Sequence, residues 1–212
     1  MARPKKQLNR RTDILDAAQI LFTEKGFEKT TIDDIVKHIG IGKGTVYLEF
    51  KNKNDILLAI IERDVEILLE KIELQIKDAK PPYLELLEQV LKNDITTVFD
   101  MATSQIHTHI ALMHTSYQIK QELNHLMVRG RNIIATLLVQ AAKNDEIKPF
   151  HDYENLAQLI KIALQGFLPP YDLNYSLDHR NDLNKQEIRT LLFNDASIVI
   201  KLILSGLKVP AQ

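Results

Sequence analysis

The sequence contains no cysteine, which excludes a disulfide framework and a thiolate zinc site and fits a reducing compartment. Glycine is scarce, with 7 in 212 residues. Alternating apolar runs are few, while long 3.6-residue patterns recur, so the chain reads as all-α. No apolar run is long enough for a signal peptide or a membrane span; SIVIKLILSGL is interrupted by Lys201. The expectation is a soluble cytoplasmic protein with no membrane partner. Internal repeats and low-complexity tracts are missing. So are G-x-S-x-G, the phosphate-binding loop, G-x-G-x-x-G and H-E-x-x-H. Nothing therefore argues for catalysis, a cofactor or a resident metal.

What is present is enough apolar material, 45% of residues, for one or two packed domains. Net charge is −1, but it is unevenly spread. Residues 1–53 carry 11 Lys and Arg against 7 Asp and Glu, and the other 159 residues carry 16 against 21. A basic N-terminal quarter on an acidic body suits a small DNA-binding module (1–53) joined to a larger domain (54–212) that avoids DNA. Arg3, Lys5, Lys6, Arg10 and Arg11 form a basic arm ahead of the first helix, expected over 12–25 with Thr12 as its cap and Gly26 as its stop.

The stretch from Thr30 to Lys53, TTIDDIVKHIGIGKGTVYLEFKNK, organises the rest. Thr31 and Asp34 make a T-x-x-D capping box. Ile32, Ile35, Val36 and Ile39 follow at helical spacing, and Gly40 can take the left-handed conformation that ends a helix. A second short helix over 43–50 turns Val46 and Phe50 inward and leaves Lys43, Thr45, Tyr47 and Leu48 on other faces. Two helices joined in this way form a helix-turn-helix, whose second helix enters the DNA major groove.

Three motifs stand in order and at fixed spacing: I-L-x-A-A-x-x-L-F-x-x-x-G-F from Ile14, T-T-I-x-x-I from Thr30, and G-x-x-K-G-T-x-Y-x-x-F-K-x-K from Gly40. Over about 48 residues the chain resembles the N-terminal domain of the TetR family of transcriptional regulators. The resemblance implies a DNA-binding role for Thr31, Lys43, Gly44, Thr45, Tyr47, Leu48, Lys51 and Lys53. Thr31 sits where a helix N-terminus holds phosphate. Lys43 opens the recognition helix toward a phosphate or a guanine edge. Gly44 permits close backbone approach, Thr45 and Tyr47 offer hydroxyls, and Leu48 can meet a thymine methyl. Lys51 and Lys53 act as phosphate clamps. Two departures matter: Gly42 stands where the family often has serine, and Leu48-Glu49 replaces aromatic or histidine side chains.

Beyond the motif, Asn52 and Asp55 cap a long helix, marked by Leu57, Ile61, Val65, Leu68, Ile72 and Ile76, that ends at Pro81-Pro82. Further helices are expected over 83–99, 102–117, 119–143, 153–168 and 185–207. In the family the last two helices pair with their copies in a four-helix interface. That implies a homodimer, with Leu156, Ile160, Ala163, Phe167, Leu191, Ile198 and Leu202 at the contact. The resemblance also implies a pocket for an unknown small-molecule effector. Candidate lining residues are Phe99, Ile106, His109, Met113, Tyr117 and Phe167, which mix apolar and polar groups.

The expected partners are thus double-stranded operator DNA, a second copy of the chain and an effector, which together describe a ligand-responsive repressor of near-palindromic sites. Two other classes compete. One is a sequence-nonspecific architectural DNA binder. The other is a helical metal-dependent enzyme using His107, His109, His114 and His125, although no two of these stand at the i, i+4 spacing of a helical metal site.

Overall fold

The computed structural model of the protein describes residues 10–102, 121–167 and 184–209. Among these residues the chain is helical, and its only β-type pairing is an isolated bridge between Ile147 and Lys208. The helices are α1 (Arg10–Lys25), α2 (Ile32–Ile39), α3 (Lys43–Glu49), α4 (Lys53–Lys77), α5 (Tyr83–Ala102), α6 (Asn124–Lys143), α7 (Tyr153–Leu164) and α8 (Lys185–Leu207). A single 3₁₀ turn, Gln165–Phe167, prolongs α7.

The N-terminal unit packs Ile14, Ala18, Leu21 and Phe22 of α1 against Ile35 of α2 and Val46 of α3, all buried. Phe27 closes this core edge-on to Phe22, with ring centroids 5.1 Å apart. The first turns of α4 complete it: Ile56, Leu57 and Ile60 are buried, and α4 packs on α1. Polar groups line the same seam. Arg63 donates to Asp16 at 2.7 Å and to Gln19 at 2.7 Å, and Gln19 donates to Asp64 at 2.9 Å.

α4 runs unbroken for 25 residues from this unit into the body, where it meets α6. The body is a set of packed helices in which α6 touches α4, α5 and α7, and α8 lies on α5 and α7. Glu146, just past α6, accepts from the backbone N–H groups of Tyr83 and Leu84 at 2.8 and 2.7 Å, supplying α5 with the cap that Pro81-Pro82 cannot. Arg189 on α8 grips Asp100 on α5 through two parallel bonds of 2.7 and 2.8 Å. The pair holds the Asp100 carboxyl below its ordinary range and raises the guanidinium.

Several boundaries differ from expectation. α1 begins at Arg10, so Thr12 lies inside it. α5 continues through Ala102. The helix expected over 119–143 is interrupted at Leu123, whose carbonyl accepts from both Leu126 and Met127. The helix expected over 102–117 lies outside the described residues. By length and composition α8 is apolar enough to cross a bilayer, contrary to expectation. Asp195 and Lys201 do not interrupt it enough, yet Leu192, Ala196, Ile200 and Leu204 lie in the core of the body.

Candidate nucleic-acid interface

The turn that presents α3 is fixed at both ends by short-range chemistry. The Thr31 hydroxyl accepts from the Asp34 N–H at 3.1 Å and donates to Asp34 Oδ2 at 2.6 Å; Asp34 accepts in return from the Thr31 N–H at 2.9 Å. This capping box, reinforced by Lys25 at 3.3 Å, lowers the Asp34 pKa to about 2; the Thr31 hydroxyl contributes most. At the other end Gly40 adopts φ 72°, where a Cβ would be strained, and its N–H donates to Val36 O.

α3 starts without a side-chain cap, because Gly42 offers only its carbonyl, which accepts from Thr45 N at 2.9 Å. Val46 and Phe50 hold the helix down, and the Arg11 guanidinium covers the Phe50 ring 4.6 Å from its centroid. With that face committed, Tyr47 (49% exposed) and Leu48 (82% exposed) point outward with Lys43, Gly44 and Lys51. A Cβ at Gly44 would meet nothing within 4 Å in the chain itself. Packing within the described residues therefore does not require glycine here. An exposed leucine flanked by tyrosine and lysines thus forms a mixed apolar and basic surface among the described residues.

Three residues do not sit as the motif implied. Lys53 is withdrawn: its ammonium donates to the carbonyls of Phe27 (2.7 Å), Thr30 (2.9 Å) and Glu28 (3.3 Å) and lies 4.2 Å over the Phe27 ring. All three protons are engaged, so Lys53 secures the α1–α2 turn and has none left for a phosphate. Thr31 has likewise committed its hydroxyl proton to Asp34, which leaves backbone N–H groups as the donors at this helix start. Thr45 is half-buried against Gly42. Lys43 is exposed but paired with Asp33 at 2.9 Å; that hydrogen bond, and the charge behind it, raises the ammonium pKa. An exposed pair of this kind is easily exchanged for phosphate.

In the body, Phe99 is fully buried and Phe167 is packed on the core, while Ile106, His109, Met113 and Tyr117 lie outside the described residues. An open groove of about 650 Å³ between α6 and the start of α7 is lined by Thr136, Gln140, His151 and Tyr153 among others, and contains none of the expected effector contacts. The predicted dimer residues divide. Ala163, Ile198 and Leu202 (66% exposed) face outward. Leu156, Leu191 and Phe167 are half-buried, and Ile160 (2% exposed) is core. Placing Ile160 at the contact is thus corrected: α7 is apolar on two sides, and its outer stripe is Leu159, Ile162 and Ala163.

Residues 14–60 match the family described as bacterial regulatory proteins, tetR family. The fatty acid metabolism regulator protein of Bacillus subtilis is 27% identical over 170 residues, covering 80% of this chain and 86% of its own. Among solved structures, FadR from Bacillus subtilis in complex with stearoyl-CoA superposes with a TM-score of 0.61 at 23% identity, covering 92% of this chain and 98% of its own. SmeT, the repressor of the Stenotrophomonas maltophilia multidrug efflux pump SmeDEF, superposes with a TM-score of 0.62 at 21% identity, covering 97% and 93%. At these identities the two superpositions establish the fold.

Proposed function

We propose that this chain, whose residues 14–60 match the tetR family of bacterial regulatory proteins and which resembles a Bacillus regulator over 170 residues, is a transcriptional regulator that represses by binding a near-palindromic operator as a homodimer in the cytoplasm. The observation that carries the reading is α3: anchored by Val46 and Phe50, it turns Lys43, Gly44, Tyr47, Leu48 and Lys51 outward as one strip. Lys51 and Lys43 neutralise phosphates, and Tyr47 and Leu48 meet the groove floor. Two copies joined through Leu159, Ile162, Ala163, Ile198 and Leu202 bury an apolar face that a lone chain exposes. They set two recognition helices about 34 Å apart, one helical turn of DNA.

For the effector we propose a long-chain fatty acyl-CoA. Its support is that the likeness to the Bacillus fatty acid regulator extends over 170 residues, far past the DNA-binding unit and into the body. Such a ligand relieves repression only by its differential affinity for the two dimer geometries.

The test is selection of bound duplexes from a random pool, followed by titration with stearoyl-CoA. A two-fold symmetric site preferred about a thousandfold over random DNA supports the reading, as does at least tenfold weaker binding with stearoyl-CoA but not with free coenzyme A. Equal affinity for every duplex would instead identify an architectural binder.

A further inference from the structure

The seam between α4 and α6 holds a group of side chains that neither the DNA-reading strip nor the effector uses. Glu62 and Glu66 stand one turn apart on α4, and His125 faces them from the first turn of α6. One ligand-type atom from each of the three lies within 4.8 Å of the others. We propose that Glu62, Glu66 and His125 form a binding site for a divalent transition-metal ion of the zinc class, which ties α4 to α6.

The histidine carries the argument. Its Nδ1 is 3.0 Å from the carbonyl of Glu122. A carbonyl can only accept, so Nδ1 carries the proton and Nε2 is the nitrogen that faces the carboxylates. Metal-binding histidines are oriented in this way: the far N–H is donated to a backbone carbonyl, which fixes the tautomer and aims the lone pair at the ion. Nε2 lies 3.4 Å from Glu62 Oε1, longer than the usual N–H···O bond of about 2.9 Å. It equals the separation of two ligands on a tetrahedral zinc, since bonds of about 2.1 Å subtend an edge of about 3.4 Å. A neutral imidazole directs its Nε2 lone pair at these carboxylates, and a cation between them, either a proton or a metal ion, turns that repulsion into attraction. The donor set of one imidazole and two carboxylates, with no sulfur, suits zinc-class ions.

Glu66 is the member that separates this site from a simple ion pair. Glu62 and His125 alone account for a salt bridge, whereas Glu66, whose charge also acts on Arg129, supplies the third donor of a coordination shell. The neighbouring guanidinium of Arg129 is already held by Glu73 through bonds of 3.1 and 2.7 Å. The cluster thus continues the same α4–α6 seam, and a bound ion adds a second fastening about one turn from the first along α6 and about two to three turns from it along α4. The site stands independently of the operator and effector assignments.

The experiment titrates Zn²⁺ alone into the full chain by calorimetry, with Co²⁺ absorption as a coordination readout. His125→Ala, Glu66→Gln and His151→Ala are compared, the last as a control from outside the cluster. Expected are one Zn²⁺ per chain at micromolar Kd, unchanged in His151→Ala and weakened at least tenfold in both His125→Ala and Glu66→Gln. The tetrahedral Co²⁺ bands and a zinc-dependent rise in Tm should disappear in the same two variants. Zinc binding that persists unchanged in either cluster variant overturns the proposal, as does the lack of binding by the wild-type chain up to about 100 μM. Loss in His125→Ala with full retention in Glu66→Gln reduces the cluster to an ion pair and also overturns it.

Discussion

Two lysines two positions apart on the recognition side of the molecule have opposite tasks. Lys53 donates to three carbonyls of the α1–α2 turn, while Lys51 stands exposed after α3. Lys53→Met is expected to cost about 2 kcal/mol of folding stability, because three carbonyls lose a charged donor. Lys51→Ala should leave stability within about 0.5 kcal/mol of wild type. Its cost is an operator affinity reduced for every sequence alike, with the salt slope shallower by about one. Denaturant melts and salt-dependent binding isotherms separate the two. Asp34 gives a second prediction. Its carboxyl, with an ordinary value of 3.8, is held down to about 2, so the folded chain keeps it ionised after the unfolded chain has protonated it. Its contribution is therefore complete above pH 3.8 and is lost as pH falls through about 2. Asp34→Ala should flatten the stability curve in that window, measured by acid titration with circular dichroism. The caps themselves were legible from the sequence, because Thr31 to Asp34 and Asn52 to Asp55 are contacts three residues apart. The fate of Lys53 was not, since its acceptors lie 23 to 26 residues away and no local pattern names them.

Among the helices, α4 packs in both the N-terminal unit and the body. Its first turns bury Ile56, Leu57, Ile60 and Ile61, and its later turns meet α6. A fragment ending at residue 53 would therefore lose four buried aliphatic side chains worth about 2 kcal/mol each, more than a unit of that size holds in reserve. Such a fragment is expected to show no cooperative melt, while one extended through Asp64 should regain it. Helix periodicity made α4, α5, α7 and α8 visible, and Pro81-Pro82 marked the end of α4. What periodicity leaves open is which of two apolar stripes turns inward. On α7 both Ile160 and Leu159 belong to plausible stripes, and only packing against α6 and α8 makes Ile160 core and Leu159 surface. The grouping of Glu62 and Glu66 with His125 was hidden for the same reason: about 60 residues separate its two halves, and nothing periodic links them.

For the molecule as a whole, the outward stripes of α7 and α8 lead to a prediction about assembly. Leu202→Glu places a charge in the middle of the exposed apolar face, where desolvation in a dimer is costly. The variant should sediment as a monomer with an unchanged melting curve for its helices. Its operator affinity should fall at least a hundredfold, because each half-site must then be held alone. A variant that remains dimeric removes these helices from the interface. The uninterrupted course of α4 also has a mechanical consequence. A helix of 25 residues is about 37 Å long, and a rotation of about 5° at its body end carries its other end roughly 3 Å sideways. A major groove about 12 Å wide cannot keep its contacts through a displacement of that size in each half of a dimer. On the proposed reading the long helix would act as a lever: a change too small to disturb packing in the body would be magnified into loss of register at the DNA.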